Sequence, residues 1–314
     1  MEPDPTQEQQ DGRDVLVVGE SLVDVVHAAD GTTREHPGGS AANVAVALAR
    51  LGRPVRFATA YAADDRGRTV ADHLATAGVA LATDPATVAR TSTARATIGA
   101  DGAATYDFDL AWELGPVPDE PAPLVVHTCS LGAVLPPGAD DVVALLERLR
   151  GRATVTYDVN ARPAVTGTGA EVVARVERVV ALADLVKASD EDLAALWPDL
   201  DEPAAVARLL ALGPAAVVVT RGGEGASWTS RRCVVEVASL PVEVADTIGA
   251  GDTFGAALVD GLWERGRLGA EHRDELAGLA EHEVAELLEH AARAAAVTVS
   301  RPGADPPYRS ELQG

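Results

Sequence analysis

Lysine is nearly missing from this chain. Of 26 basic side chains only Lys187 is not an arginine, and 48 acids leave a formal net charge of −22 over 314 residues. So acidic a surface lacks the cations that neutralise phosphates, which argues against a general nucleic-acid or anionic-membrane binder. An anionic ligand such as a nucleotide then has to be held by backbone N–H groups, a few arginines and a divalent metal. Cysteine is as scarce: Cys129 and Cys233 stand roughly a hundred residues apart without zinc or redox spacing, so both read as buried thiols in a reducing compartment. No run of 18 apolar residues occurs, and the polar, proline-bearing start lacks the basic and apolar regions of a signal peptide. These absences point to a cytoplasmic protein, with residues 1–13 expected to form a disordered tail.

Hydrophobic side chains make up 47% of the chain, ample for a packed core. Short apolar runs predict buried strands over 15–18, 124–127, 154–157, 185–187 and 216–220. Between them, amphipathic stretches predict helices over 41–51, 67–76, 139–149 and 170–181, most of them closed by a glycine. Strand and helix alternate, so the expected class is α/β, with a mostly parallel central sheet covered on both faces, in one domain over 14–314. Two stretches break the rhythm. Residues 23–35 and 91–110 carry short β-like pieces around the turn signals Ala29-Asp30-Gly31 and Ala100-Asp101-Gly102, and are expected to pair as a small separate sheet.

The densest chemistry lies in Asp246-Thr247-Ile248-Gly249-Ala250-Gly251-Asp252, directly before an apolar helix start. Small residues at 249–251 let the backbone approach a ligand and aim N–H groups at it, at a helix N-terminus whose dipole favours negative charge. Asp252 beside such an anion hole can take the proton of an attacking hydroxyl; it can equally be a plain cap after a glycine turn. A second glycine turn, Pro37-Gly38-Gly39-Ser40-Ala41-Ala42-Asn43, also runs into a helix. Its N–H groups and the Asn43 amide suit a polyhydroxylated ligand, or simply close a tight turn.

Together these segments resemble the two signatures of the ribokinase-like (PfkB) carbohydrate kinases: an early Gly-Gly-x-x-x-Asn and, roughly two hundred residues on, Asp-Thr-x-Gly-Ala-Gly-Asp. The resemblance extends from Val15 to about Ala304. It implies a three-layer α/β/α sandwich with a β lid over the sugar. It also implies that Asp252 is the catalytic base and that Gly249, Ala250 and Gly251 form the anion hole. Asp24, Gly38, Gly39 and Asn43 then hold the sugar, and Asn160 and Arg162, in Asp158-Val159-Asn160-Ala161-Arg162, stand near the acceptor. Thr220, Gly222 and Gly225 match the family's Thr-x-Gly-x-x-Gly nucleotide loop. ATP and Mg²⁺ are the implied cosubstrate and ion, with K⁺ a candidate at the loop backbone around Asp246. An exposed lid sheet would also suit a homodimer surface.

The match is not complete. Ser189-Asp190-Glu191-Asp192 stands where the family carries Asn-x-x-Glu, so Ser189 replaces an amide beside the nucleotide and Asp192 the acid that orders water around magnesium. Leu22 and Ser40 depart from the ribose-specific pattern. Gly19-Glu20-x-Leu22-x-Asp24, Gly38-Gly39-Ser40 and the Asp-x-Asn-x-Arg-Pro run at 158–163 look most like fructokinases and 2-keto-3-deoxygluconate kinases. Fructose leads, with the keto acid as the alternative; a carboxylated sugar would want a cation, for which Arg90, Arg95 and Arg162 are candidates. A nucleoside kinase would want an aromatic base platform, and only 4% of the chain is aromatic. A non-catalytic relative would be expected to have lost Asp252 or an anion-hole glycine. A dinucleotide-dependent dehydrogenase would need a Gly-x-Gly-x-x-Gly run that the segment after the first strand lacks.

Overall fold

The computed structural model describes residues 13–27, 32–98 and 104–313. The expectations for 1–12 and for both lid turn signals fall outside them. Thirteen strands occur among the described residues: β1 (Val15–Val18), β2 (Leu22–His27), β3 (Thr33–Gly38), β4 (Val55–Ala58), β5 (Ala80–Leu81), β6 (Thr93–Ile98), β7 (Ala104–Asp109), β8 (Val125–Cys129), β9 (Thr154–Asp158), β10 (Leu185–Ser189), β11 (Ala216–Thr220), β12 (Ala226–Ser230) and β13 (Val234–Val237). Nine form one sheet in the order β13-β12-β11-β10-β9-β8-β1-β4-β5, parallel from β11 through β5, with β12 and β13 added antiparallel at one edge.

The parallel strands are continuous apolar runs because both faces are covered. One face carries the helices Ser40–Arg50, Ala250–Glu264 and Glu281–Val299 over Val15, Val17, Val125 and Val218. The other carries Gly138–Leu149, Ala170–Val180, Asp190–Leu196 and Glu202–Ala211 over Leu16, Val126, Val155 and Val217. This is the α/β/α sandwich. From β1 the chain runs to β4 and β5 on one side and later to β8, β9 and β10 on the other. The strand order thus reverses beside β1, and the crevice at the carboxyl ends there is where such sheets bind ligands.

The remaining four strands form the small sheet β3-β2-β6-β7, in which β2 and β6 run parallel and each outer pair antiparallel. Its limits differ from 23–35 and 91–110. β3 is polar and largely exposed, so it shows no apolar alternation, yet backbone pairing with β2 carries it to Gly38. The lid strand therefore ends inside the second glycine turn, at Gly38. Trp112 lies beyond β7 in the main core, where its indole N–H donates to the Gly132 carbonyl (3.0 Å). The predicted helices are found within a few residues of their expected ends. The helix at 65–76 starts earlier than 67 because Asp64 accepts the Gly67 N–H (2.7 Å) and caps it. β4, β12, β13 and Glu281–Val299 had drawn no expectation. Both cysteines are buried free thiols. No helix among the described residues is long and apolar enough to cross a membrane.

Candidate active site

Gly249 is the N-cap of the helix Ala250–Glu264 and adopts φ 75°, a left-handed conformation natural to glycine. A Cβ there would also lie 2.7 Å from the Ala304 methyl. This turn leaves the N–H groups of Gly251 and Asp252 without intrahelical acceptors, while that of Ala250 donates to the Thr247 carbonyl (3.3 Å). Asp252, in that turn, is buried. Its Oδ1 accepts from the Ser40 hydroxyl (2.6 Å) and, at 3.4 Å, from the Asn160 amide; its Oδ2 accepts from the Asn43 amide (2.8 Å). Asn160 also donates to Ser40 Oγ (2.8 Å). Residues about two hundred positions apart thus meet on one carboxylate, contributed by two helix N-termini and the end of β9.

The second glycine turn is as tightly determined. Gly39, at φ 102°, caps the helix Ser40–Arg50, and a Cβ there would lie 2.8 Å from the Glu20 carbonyl oxygen. A Cβ on Gly38 would fall 2.2 Å from Asp24 Oδ2, so only glycine leaves room for that carboxylate. Burial pushes Asp24 up to about 6, with His36 and Arg162 working the other way. Two non-glycine residues with positive φ, Ser130 (49°) and Asn160 (36°), sit at this end of the sheet, the Ser130 hydroxyl donating to the Asn160 carbonyl (3.0 Å). Paired strain of this kind persists where the surrounding structure enforces it, typically at functional sites.

Beside the Asp252 cluster a cavity of about 610 Å³ follows the carboxyl ends of β9, β10 and β11. Its polar end is built by Asn160, Lys187, Ser189, Asp192, Thr220, Gly222, Gly225, Ala250 and Gly251. Its far end is apolar, with Leu240, Val242, Val244, Phe254, Ala292, Ala295 and Ala296. Gly225, at φ 115°, approaches the Val237 carbonyl where a Cβ would lie 2.1 Å away. Ser189 and Asp192 form a reciprocal cap on the helix Asp190–Leu196: Ser189 Oγ accepts the Asp192 N–H (3.0 Å) and Asp192 Oδ2 accepts the Ser189 N–H (2.8 Å). Asp192 Oδ1 accepts from Ala161 N (2.8 Å), fastening the Asn160–Arg162 loop. Asp246 joins two loops, accepting from Ile248 N (3.0 Å) and Gly303 N (2.9 Å). No three His, Cys, Asp or Glu side chains among the described residues converge on a metal.

Arg162 is exposed and forms no salt bridge among the described residues. It donates to the Ala161 carbonyl (2.9 Å), and its charge acts on both Asp24 and Glu20. Arg90 and Arg95 pair instead with Asp109 and Asp107 across the lid strands. Four neighbours of the site had drawn no assignment from the sequence. Ser40 stood inside a quoted motif, but its reach to Asp252 needs the tertiary fold. Glu20 is buried, accepts the Gly132 N–H (2.6 Å), and is pushed by burial up to about 7. Lys187 and Asp158 form a buried pair (2.8 Å). Glu20 and Asp158, like Ser40, stood inside quoted motifs without a role of their own, and Lys187 stood out only as the single lysine.

A helix N-terminus after a glycine turn, a buried carboxylate in its first turn and a ligand-sized cavity beside them are the arrangement that a phosphotransferase acting on an alcohol group needs. The chain belongs to the pfkB family of carbohydrate kinases, whose model matches residues 13–311, nearly the whole length. A fructokinase of Rhizobium leguminosarum bv. trifolii is 33% identical over 262 residues, covering 79% of each chain. The crystal structure of fructokinase from Xylella fastidiosa with bound ATP superposes with a TM-score of 0.85 at 27% identity, over 95% of this chain and 96% of that one. That of fructokinase from Vibrio cholerae O395, in fructose, ADP and calcium ion bound form, gives 0.73 at 26% identity over 96% of both chains. The chain is a sugar kinase.

Proposed function

We propose that the chain transfers the γ-phosphate of ATP to the primary hydroxyl of a hexose-sized ketose, fructose first. The observation that carries this reading is the placement of Asp252: within the first turn of the anion-hole helix, and tied by Ser40, Asn43 and Asn160 to the glycine turn beside Asp24. The sugar lies over Asp24, Gly38, Gly39 and Asn43. The triphosphate runs along Thr220, Gly222, Gly225 and Ser189, with the base at the apolar end of the cavity. Asp252 accepts the hydroxyl proton as the oxygen attacks, and the N–H groups of Gly249, Ala250 and Gly251 meet the charge that develops on the phosphoryl oxygens. Bound Mg²⁺ neutralises the phosphate charge. Of the acids lining the cavity, Asp192 is engaged by two backbone N–H groups, so it would act on such an ion through water rather than as a direct ligand. The lid of β2, β3, β6 and β7 shuts water out of the closed site.

Several other features follow from the same reading. The junction of Asp246 with Gly303 is the candidate K⁺ site, the lid the candidate homodimer surface, and the cytoplasm the compartment where ATP and a reducing pool for Cys129 and Cys233 coincide. A second acceptor is favoured by one observation. Arg162, without a carboxylate partner among the described residues, is free to meet the carboxylate of 2-keto-3-deoxygluconate. Coupled ADP release with Mg-ATP against fructose, 2-keto-3-deoxygluconate, ribose, tagatose and adenosine decides between them. Asp252→Asn should lower turnover about 10³-fold with the preferred acceptor; full activity in that variant would reduce Asp252 to a helix cap.

A further inference from the structure

The chain's only lysine is neither exposed nor in the apolar core. Lys187 ends in a buried pair with Asp158 (2.8 Å), on adjacent strands β10 and β9, and lines the polar end of the cavity. It runs beneath the first turns of the helix Ala250–Glu264. A Cβ on Gly251 would sit 3.4 Å from its Nζ, and one on Gly255 would sit 3.8 Å from its Cδ. Those two glycines, one turn apart on the helix face, leave a channel for the side chain directly under the anion hole.

Charge makes this position informative. The cavity wall holds Asp190, Glu191 and Asp192, and Lys187 is its one basic side chain among the described residues. A triphosphate entering so acidic a cleft meets no other protein cation along that wall. Burial works against the ammonium, but Asp158, with Asp192 and Asp252 further off, outweighs it and keeps Lys187 protonated. A fully buried ion pair adds little to stability over well-packed apolar groups of similar size, so stability alone does not account for it. Nor is the pair self-contained: Asp158 Oδ1 is buried and has no hydrogen-bond partner.

We propose that Lys187 contacts the transferring phosphoryl group, its ammonium passing beneath Gly251 to the oxygens of that group, while Asp158 positions it in the resting site. This rests on the phosphotransfer reading above. In the step, the acceptor oxygen bonds to the terminal phosphorus, the bond from that phosphorus to the bridging oxygen breaks, and its electron pair leaves with ADP. The hydroxyl proton goes to Asp252. Lys187 keeps all its protons and supplies charge and hydrogen bonds only, as a flexible point charge suited to phosphate.

The test compares wild type with Lys187→Met, Lys187→Arg and the doubly neutral Lys187→Met/Asp158→Leu. It reads melting temperature, kcat, KM for each substrate, and calorimetric affinities for ATP and ADP. The double variant removes both buried charges, so it should fold at least as stably as Lys187→Met. It should still lose about 10²-fold or more in kcat with an unchanged sugar KM, and Lys187→Arg should recover part of that loss. Lys187→Met should lower affinity for ATP about tenfold while leaving ADP affinity within twofold. Near-wild-type turnover in the double variant would make the pair structural and overturn the proposal; so would equal losses for ATP and ADP. A wild type inert toward every sugar would count against the phosphotransfer reading instead, and the ATP-to-ADP comparison would still decide whether Lys187 touches the terminal phosphate.

Discussion

Asp252 carries three donors, and the shortest contact comes from a residue whose role the sequence does not announce. Ser40 donates to Oδ1 at 2.6 Å and in turn accepts from Asn160, so one hydroxyl orients both the proposed base and an amide beside it. Removing it leaves the carboxylate held by Asn43 and by the longer Asn160 contact, and Ser40→Ala is expected to lower kcat about tenfold with little change in the melting temperature. Asp24 gives a second test. With burial holding its carboxyl near 6, the ionised form that would accept from sugar hydroxyls in the proposed site is depleted below that pH. The KM for the sugar should therefore rise as pH falls from 7 to 5, and the KM for ATP should not follow it.

Among the elements, the helix Ala250–Glu264 matters most, since its N-terminus is the proposed anion hole. It is pinned near its other end by Asp260, fully buried and paired with Arg53 (2.6 Å), His290 (2.9 Å) and Arg309. Burial alone would raise the Asp260 carboxyl; these partners reverse that and hold it below the usual range. Arg309 and Asp305, which pairs with Arg50, also explain why the proline-rich tail follows the surface in a fixed path. Asp260→Ala removes the buried carboxylate that Arg53, His290 and Arg309 share, leaving part-buried Arg53 with Glu264 alone. It should destabilise the protein by about 3 kcal/mol, read as a shift in the urea midpoint. Activity measured well below that midpoint should fall much less than in Asp252→Asn, because the first turn keeps its own contacts.

For the whole molecule, the acids around the crevice make stability depend on pH. Glu20 is raised to about 7 and Asp24 to about 6, both chiefly by burial. Between the ordinary carboxylate range and those values, the folded state holds protons that the unfolded chain has released. Stability from these groups is therefore complete at low pH and is lost as pH rises to about 7. Glu20→Gln removes the larger part of this. It should be more stable than wild type at pH 8, by at most about 3 kcal/mol, and nearly equal to it at pH 4.5. A melting-temperature series across that range checks the sign. The binding crevice thus opposes folding at the pH where the enzyme would work, a usual consequence of assembling charged groups for a ligand.

The chain itself determined the layers and the chemistry at the ends of its elements. Short β-branched runs at 15–18, 154–157 and 216–220 favour buried strands, and the glycines at 38, 39, 249 and 251 mark turns where the backbone approaches something closely. Those are local properties, set by periodicity and by the absence of a Cβ. Polar β3 was not legible, because backbone pairing with β2 places it and it has no apolar face. Nor were β4, the antiparallel edge of β12 and β13, or the long helix Glu281–Val299 picked out. The site shows the same division. Asp252, Asn43 and Asn160 stood in motifs, but Ser40 on Asp252, Glu20 on Gly132 and Lys187 under Gly251 are contacts between segments far apart in sequence. Only the folded sheet, by bringing the carboxyl ends of its central strands to one crevice under two helix N-termini, decides which side chains share an oxygen.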